Sequence, residues 1–363
     1  MKPPERRATK KVFKGKIAVG GDAPISVQSM TKTKTENTEA TGQQIKSLMA
    51  AGCDIVRVAV PTMEAAEAIA SYKEAFDIPI IADIHFNYRL ALRSVDAGAD
   101  GMRINPGNIG GPDRVMAIAE ASGKKGIPIR IGVNAGSVKK DLLEKYGHSA
   151  RALVESAKGS LRLLEETGFK EIVISLKSSD AWTTIEAYRL MARECDYPFH
   201  LGVTEAGVPR VGAVRSAVGI GTLLAEGIGD TIRVSLTGDP VDEVLIGFEI
   251  LKALGLRKRG PSLVSCPTCG RCKVDILSLA EQVQEALLGM DQEIRVAVMG
   301  CEVNGPGEAR AADVGIAGGG GYLVIFRGGK PLRRVREDEA VQGLMDEIEN
   351  FLAENIAVTK DDS

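Results

Sequence analysis

The run IPIIADIHF at residues 78–86 decides the fold, because it is a short apolar segment closed by polar residues, as buried parallel strands are. Seven further runs share this pattern, and segments with helical periodicity, such as TMEAAEAIASYKEAF, lie between them. The eight predicted strands are ISVQSM (25–30), CDIVRVAV (53–60), IPIIADIHF (78–86), GMRINPG (101–107), PIRIGVN (128–134), EIVISLKSS (171–179), FHLGVTEAG (199–207) and TIRVSLTG (231–238). Strand and helix alternating eight times predict an α/β fold, a closed (β/α)8 TIM barrel.

An open doubly wound sheet is the alternative, and it would place a Gly-rich phosphate loop after the first strand. The residues there, ISVQSMTKTKTEN, contain no glycine, so the closed barrel is favoured. A short hairpin, KGKIAVGG followed by APISVQ, is expected to plug the barrel bottom. Thr38 is the expected N-cap of the first helix.

After the eighth strand the alternation weakens into a helix and a basic link, RKRGPS at 257–262. The sequence beyond the link predicts a compact α+β segment, with GGGG at 318–321 as a hairpin turn. We therefore expect a TIM-barrel domain at residues 1–258, a smaller domain at 259–357 and a disordered tail at 358–363.

The composition argues against several functional classes. Of the 363 residues, 44% are hydrophobic and 26% charged, as in ordinary globular proteins, and the formal charge of −2 gives no pull toward nucleic acid or membranes. The basic start, MKPPERRATKKVFKGKI, is followed by no apolar run, so neither a signal peptide nor an anchor is expected. We expect a cytoplasmic protein with no nucleic-acid or membrane partner.

Polar residues recur two apart near the ends of the predicted strands. Such residues point together toward the mouth, where barrel enzymes keep their chemistry. The candidates are Arg57, Asp83 and His85, Arg103 and Asn105, Arg130 and Asn134 (four apart), Ser175 and Lys177, Glu205, and Arg233 and Ser235. For any single arginine, pairing with a helix-layer acid is an equal alternative. Five cations facing two acids, Asp83 and Glu205, favour a phosphorylated ligand.

Four of the six cysteines crowd into two short segments. SCPTCGRC contains Cys266, Cys269 and Cys272, and MGCEVNGPGE contains Cys301. C-x2-C-x2-C with a distant fourth cysteine is reminiscent of ferredoxin cluster ligation, whereas a zinc site more often shows two C-x2-C knuckles. The spacing favours an iron–sulfur cluster, with zinc as the alternative. The Gly-Pro-Gly turn would bring Glu308 alongside Cys301, either as a surface acid or as an iron ligand.

SCPTCGRC and MGCEVNGPGEA together resemble the C-terminal domain of the 4-hydroxy-3-methylbut-2-enyl diphosphate synthase family of the non-mevalonate isoprenoid pathway. The barrel segments resemble the same family in the same order. They are VQSMTKTKTEN, IADIHF, RINPGN, IRIGVNAGS, SLKSS, GVTEAG and RVSLTG. The similarity covers nearly the whole chain.

This resemblance implies an oxidoreductase that reductively opens the ring of 2-C-methyl-D-erythritol 2,4-cyclodiphosphate, losing a hydroxyl as water. It implies a homodimer that takes electrons from flavodoxin or ferredoxin. It also implies a 4Fe–4S cluster held by Cys266, Cys269, Cys301 and Glu308. Glu205 is the implied proton donor, and Glu308 the second catalytic residue. The implied substrate contacts are Arg57, Asp83, His85, Arg103, Asn105, Arg130, Asn134, Ser137, Lys177, Ser178, Thr204, Arg233, Ser235 and Asn304.

Cys272 departs from the family pattern as a fourth thiol that competes with Glu308. Glu308 is favoured because an all-cysteine cluster would leave no exchangeable position for substrate, although the ferredoxin-like spacing argues the other way. Two rival interpretations remain. One is a zinc-stabilised barrel that binds a phosphorylated ligand without redox chemistry, and the other makes the last hundred residues a ferredoxin-like electron-transfer module.

Overall fold

The structure is a computed structural model that describes residues 4–258, 260–290, 292–301 and 312–361. The chain divides into two compact units, Met1–Arg257 and Lys258–Ser363, one residue before the predicted boundary. Each unit has its own hydrophobic core.

The first unit contains ten strands and ten α-helices among its described residues. The strands are β1 (Val12–Lys14), β2 (Ile17–Val19), β3 (Ser26–Met30), β4 (Ile55–Ala59), β5 (Ile80–Asp83), β6 (Gly101–Ile104), β7 (Ile129–Asn134), β8 (Ile172–Lys177), β9 (His200–Leu201) and β10 (Thr231–Ile232). The helices are α1 (Thr38–Ala50), α2 (Met63–Ala75), α3 (Tyr88–Asp96), α4 (Pro106–Ile109), α5 (Pro112–Lys124), α6 (Lys140–Tyr146), α7 (Ala150–Glu165), α8 (Ala181–Ala192), α9 (Pro209–Ala225) and α10 (Pro240–Ala253). A 3₁₀ turn covers Ala135–Ser137.

Strands β3 to β10 form one parallel sheet in the order β8-β7-β6-β5-β4-β3-β10-β9. A parallel bridge between Ile174 and Phe199 connects β8 to the start of β9 and brings the two ends of the sheet together. Every one of these strands lies inside a run that the sequence predicts. The predicted TIM barrel is therefore confirmed.

The barrel interior is more polar than the layer between strands and helices. Outward side chains such as Val58 and Ile104 are fully buried against the helices in an aliphatic core. The inward-facing positions include Gln28, Arg130 and His200, and all three are at most 2% exposed. Buried polar groups cost stability unless they are hydrogen-bonded. Arg130 Nη1 donates to Gln28 Oε1 at 2.8 Å, whereas both ring nitrogens of His200 are buried without a partner among the described residues.

The bottom of the barrel is closed by the antiparallel hairpin β1–β2, in which Val12 pairs with Val19. These two valines pack against Ile55, Ile81 and Val173 of the barrel strands. The sequence correctly places a hairpin here, but its strands are VFK and IAV, so KGKIAVGG does not pair with APISVQ.

The first helix begins one residue earlier than the predicted cap. Asn37 is the N-cap of α1, and its side-chain oxygen accepts a hydrogen bond from the backbone N–H of Ala40 at 3.1 Å. Thr38 is the first helical residue, so its prediction as the cap was wrong. Asn and Thr both cap helices, and the sequence ENT offers both in succession.

Among its described residues, the second unit is a five-stranded mixed sheet packed against two helices. Its strands are β11 (Ser262–Ser265), β12 (Arg295–Met299), β13 (Val314–Gly318), β14 (Leu323–Arg327) and β15 (Lys330–Val335), with helices α11 (Ile276–Ala286) and α12 (Ala340–Asp361) and a 3₁₀ turn (Glu337–Glu339). β11, β12 and β13 are parallel, and β13–β14 and β14–β15 are antiparallel. Gly319 N–H bonds to Tyr322 O at 2.7 Å, which confirms the hairpin turn predicted at GGGG. The α+β fold of this unit is confirmed.

Helix α12 extends to Asp361, so its helical backbone enters the segment 358–363 for which the sequence predicts a disordered tail. Within the described part of the chain, every helix is too short or too polar to cross a membrane.

Tyr188 joins strands near the point where the barrel closes, because its hydroxyl donates to His200 O at 2.5 Å and accepts from Leu176 N–H at 3.0 Å. Replacing Tyr188 with Phe preserves the ring and leaves both buried backbone groups without this partner. We expect a loss of about 1–3 kcal/mol in the free energy of unfolding, measured by denaturant titration. An unchanged midpoint would show that this hydroxyl does not stabilise the closure.

Candidate active site

A cavity of about 100 Å³ lies at the carboxyl-terminal ends of the barrel strands. It is lined by side chains from five strands, β4 to β8, and from the residues that follow β5, β9 and β10. The lining residues are Arg57, Asp83, His85, Arg103, Arg130, Asn134, Ser175, Lys177, Thr204, Arg233 and Ser235. All of them except Thr204 are strand-end residues selected by the sequence pattern, and Thr204 is implied by the resemblance alone. The structure brings them to one cavity, while their role as substrate contacts stays a prediction.

Asp83 is the acid around which two of the cavity's arginines gather. It is 5% exposed, and its carboxylate lies 3.3 Å from Arg103 Nη1, 3.8 Å from Arg57 Nε and 3.4 Å from His85 Nε2. Burial alone would raise the pKa of Asp83, but Arg57 and the contact with His85 outweigh it and hold the pKa well below its usual range. Asp83 is therefore ionised at neutral pH and shares one negative charge between two guanidinium groups.

The second acid near the cavity is Glu243, which the sequence analysis did not select. It lies in the first turn of α10 and is fully buried. Its carboxylate accepts from Arg233 Nε at 3.2 Å, from Ser29 Oγ at 2.9 Å and from Leu236 N–H at 3.1 Å. Glu243 thus shares its charge between Arg233 and Lys32, whose Nζ lies 3.3 Å away, and it ties the segment after β10 to β3.

The thioether of Met30 separates two of the cationic side chains. Its Sδ lies 3.1 Å from Arg57 Nε and 3.7 Å from Arg233 Nη1. Sulfur is a weak acceptor, so this contact orients the two guanidinium groups without cancelling their charge.

Arg130 and Lys177 have no carboxylate within 4 Å among the described residues, and both are buried. Burial, followed by the charges of Arg130 and Arg233, lowers the pKa of the Lys177 amine well below its usual range. Burial and the neighbouring arginines lower the pKa of Arg130 in the same way. The cavity therefore has more positive than negative charge, and an anion would relieve this repulsion.

Two glycines make room for these cations. A Cβ on Gly132 would lie 2.2 Å from Arg103 Nε, and a Cβ on Gly202 would lie 2.6 Å from both Lys177 Nζ and Arg233 O. Real Cβ atoms do not approach other atoms so closely. Gly132 in IRIGVN thus leaves room for the Arg103 side chain, and Gly202 in HLGVTEAG leaves room for the Lys177 amine and the Arg233 carbonyl.

Four predicted site residues lie elsewhere in the barrel unit. Asn105 is buried and does not line the cavity, and Ser137 Oγ bonds to the backbone of Asn134. Ser178 lines a neighbouring cavity of about 240 Å³ next to the N-termini of α7 and α8. Glu205 is exposed and does not line the 100 Å³ cavity. It has a φ of +53°, the one positive φ of a non-glycine residue in the described chain.

Asn304 and Glu308 lie outside the described residues. Gln28, Met30 and Glu243 also contact the cavity's cations, and none of them is predicted from the sequence as a site residue. Gln28 and Met30 stand at alternate positions of the VQSM strand, on the face that bears Ser26, so period two could have selected them. Glu243 gave no such signal, because an acid in the first turn of a helix is ordinary.

The cysteine segments lie at the ends of neighbouring parallel strands. Cys266 follows β11 directly, and Cys301 lies two residues beyond β12. The two strands are paired up to Ser265 and Val298, so both cysteines lie at the same end of the pair. Gly300 N–H donates to Cys266 Sγ at 3.1 Å. A Cβ on Gly300 would lie 2.5 Å from Cys272 Sγ and 3.4 Å from Cys266 Sγ, so both sulfurs pack against this glycine.

These residues fit a thiolate-held metal centre in their chemistry. Cys269 is exposed, and hydrogen bonds from the backbone and side chain of Arg271 lower its pKa, which favours the thiolate that binds metals. Cys272 differs in its contacts, because its Sγ lies 3.2 Å from Val274 O, to which the thiol can donate. Among the described residues no three His, Cys, Asp or Glu side chains are grouped closely enough to hold a metal ion, and Glu308 is not among them.

Fold and site together define a two-unit barrel protein with a cationic cavity at the barrel mouth and a cysteine-bearing α+β unit. Comparison with known proteins gives the family. Residues 9–248 match the GcpE TIM-barrel domain and residues 262–350 match the GcpE protein C-terminal domain. The chain belongs to the GcpE family, whose relatives carry the name 4-hydroxy-3-methylbut-2-en-1-yl diphosphate synthase (flavodoxin).

Two such relatives show the extent of the similarity. The protein of Geobacter sulfurreducens is 57% identical over 347 residues, which are 95% of this chain and 98% of that one. The protein of Clostridium perfringens is 55% identical over 347 residues, covering 95% and 99%. Among solved structures, type I 3-dehydroquinate dehydratase of Clostridium difficile aligns with a TM-score of 0.50 at 15% identity, covering 68% of this chain and 97% of that one. That likeness concerns the barrel fold alone.

Replacing Gly202 with Ala should weaken the binding of inorganic diphosphate, because the new methyl group occupies the space of the Lys177 amine. We expect the dissociation constant to rise by about tenfold, the effect of losing one charge-assisted contact, measured by isothermal titration calorimetry. Gly221→Ala is the control, since nothing lies within 4 Å of that position in α9. Equal affinities for the two variants would contradict the role assigned to Gly202.

Proposed function

We propose that this chain catalyses the reduction of 2-C-methyl-D-erythritol 2,4-cyclodiphosphate to 4-hydroxy-3-methylbut-2-enyl diphosphate, a step of non-mevalonate isoprenoid biosynthesis. Two electrons and one proton enter, a ring carbon–oxygen bond breaks, a hydroxyl leaves as water and a carbon–carbon double bond forms. The observation that carries the proposal is the buried surplus of positive charge at the barrel mouth, which fits the diphosphate of such a substrate. The name shared by the relatives supports the same reaction.

The cavity residues would bind the diphosphate and hold it still. Arg130 and Lys177 have no carboxylate within 4 Å in the described chain, so the diphosphate would be their counter-ion, while Asp83 keeps Arg57 and Arg103 in position. Guanidinium groups suit this task because their paired N–H donors match phosphate oxygens. Thr204 and Ser235 add hydroxyl donors at the edge of the same cavity.

Glu205 is the proposed proton donor to the departing hydroxyl. Glu205 lies in the segment that follows β9. The residue before it, Thr204, lines the cavity. The left-handed backbone conformation of Glu205 costs of the order of 1 kcal/mol for a residue other than glycine, and such strain concentrates at functional sites. A carboxyl group that keeps contact with solvent can also be reprotonated after each turnover.

The cofactor of this reaction would be a 4Fe–4S cluster held by Cys266, Cys269, Cys301 and Glu308. When bound, it would supply the two electrons and an iron that acts as a Lewis acid on a substrate oxygen. Cys266 and Cys301 stand at adjacent strand ends, which supports their shared role. Glu308 is preferred to Cys272 as the fourth ligand, because an all-cysteine cluster would leave no exchangeable position for substrate.

The zinc-stabilised alternative is not favoured, because the relatives' name specifies an electron donor that a zinc protein would not use. Flavodoxin is the proposed donor, with ferredoxin as the other candidate. Cytoplasmic location stays a prediction from the sequence. We also propose a homodimer in which the cysteine-bearing unit of one subunit covers the barrel mouth of the other.

Protein purified without oxygen should be brown and contain about four iron and four sulfide per chain. Given a chemical reductant, it should convert the cyclodiphosphate to the open diphosphate, followed by mass spectrometry. Colourless protein without iron would contradict the proposed function.

The ligand assignment is tested with matched cysteine variants. Cys301→Ser should lose the cluster and all turnover, whereas Cys272→Ser should keep both. Glu308→Ala should abolish turnover. A variant set in which Cys272→Ser loses iron and Glu308→Ala retains activity would reverse the assignment and favour the ferredoxin-like interpretation.

The dimer arrangement predicts complementation between two inactive proteins. Arg103→Ala impairs the barrel site and Cys301→Ser impairs the cysteine-bearing unit. In a mixed dimer the intact barrel of the Cys301→Ser subunit would be covered by the intact cysteine-bearing unit of the Arg103→Ala subunit, which gives one complete site. We expect activity to appear after the two are mixed and allowed to exchange subunits, measured as turnover per total chain. A mixture that stays inactive although mixed dimers form would show that each subunit closes on itself.

A further inference from the structure

The cations of the barrel mouth differ in what holds them. Arg57 and Arg103 share the Asp83 carboxylate, and Arg233 is paired with Glu243. Arg130 is held by a neutral group instead, because its Nη1 donates to Gln28 Oε1 at 2.8 Å.

We propose that Gln28 is a positioning residue for anion binding, which holds the Arg130 guanidinium in place while leaving its whole charge available to the diphosphate. This inference rests on the proposed function and adds to it a residue of β3 that does not line the cavity. It also explains why an amide, and not a carboxylate, stands opposite this arginine.

Arg130 has a hydrogen-bond donor without a partner, and a bound anion could supply the missing acceptor. Gln28 is fully buried and Arg130 is 2% exposed. Within the described residues, Arg130 Nε and Gln28 Nε2 are buried without a hydrogen-bond partner. Buried polar groups are ordinarily satisfied, so an arginine that lines a cavity and has a buried Nε–H without a partner is prepared for a ligand.

A purely structural role for Gln28 is less consistent with these contacts. A residue that only fills the barrel would be apolar, because a buried amide nitrogen without a partner lowers stability. A residue that only stabilises Arg130 would be a carboxylate, as Asp83 and Glu243 are for the other arginines. Gln28 combines an acceptor for one N–H with zero net charge.

The test compares Gln28→Glu with Gln28→Met. Glutamate has the shape of glutamine, keeps an acceptor for Arg130 and cancels its charge, and the surrounding cations keep it ionised. Methionine has a similar length and leaves the charge but removes the oxygen acceptor. We expect Gln28→Glu to weaken inorganic diphosphate binding by about a hundredfold and Gln28→Met by about tenfold, measured by isothermal titration calorimetry at neutral pH.

Gln43→Glu, an identical substitution on the exposed face of α1, is the matched control and should bind as the unaltered protein does. Thermal unfolding and iron content of each variant accompany the titrations, and Gln28→Glu should unfold no earlier than Gln28→Met. If Gln28→Glu binds diphosphate as well as the unaltered protein does, or no more weakly than Gln28→Met, the inference about Gln28 is wrong. If the unaltered protein binds no diphosphate, the proposed function fails instead.

Discussion

The structure depends on one electrostatic constraint, the confinement of more cations than carboxylates inside the carboxyl end of a barrel. Like charges at such distances repel, and desolvation adds to the cost. The protein limits this cost by sharing Asp83 between two arginines and by burying Glu243 beneath a third. It leaves Arg130 and Lys177 uncompensated by any carboxylate within 4 Å in the described chain, and that residual charge is the property on which the proposed binding of diphosphate depends.

The barrel was predictable because its signal is repeated eight times. Each βα unit contributes an apolar run and a helical period, and an error in one unit does not change the whole pattern. The predictions that were wrong concern local features for which two chemically equivalent segments or residues lie one or a few positions apart. Asn37 and Thr38 are both residue types that cap helices. The hairpin forms between VFK and IAV, a few residues before the predicted pair KGKIAVGG and APISVQ.

Some residues of the candidate site could be predicted from the alternation along a strand. Others can be identified only from contacts in the folded structure. Residues such as Asp83, Arg103 and Lys177 could be found because period two places them at a strand end. Gly132 and Gly202 could not be recognised as space for a neighbour's side chain, because the clash that excludes a Cβ involves another strand. Glu243 lies on a helix, and its contact with Arg233 depends on how α10 packs against the end of β10.

Incomplete neutralisation also fits the chemistry that we propose. Opening a cyclic diphosphate creates a terminal phosphate with a further ionisable oxygen, so negative charge grows along the reaction. A site whose cations were fully paired would bind substrate and product without favouring that change, whereas uncompensated cations interact more strongly as charge develops. The neutral amide of Gln28 opposite Arg130 therefore has an energetic meaning, because it lets the strongest interaction of the cavity form with the substrate and not with the protein.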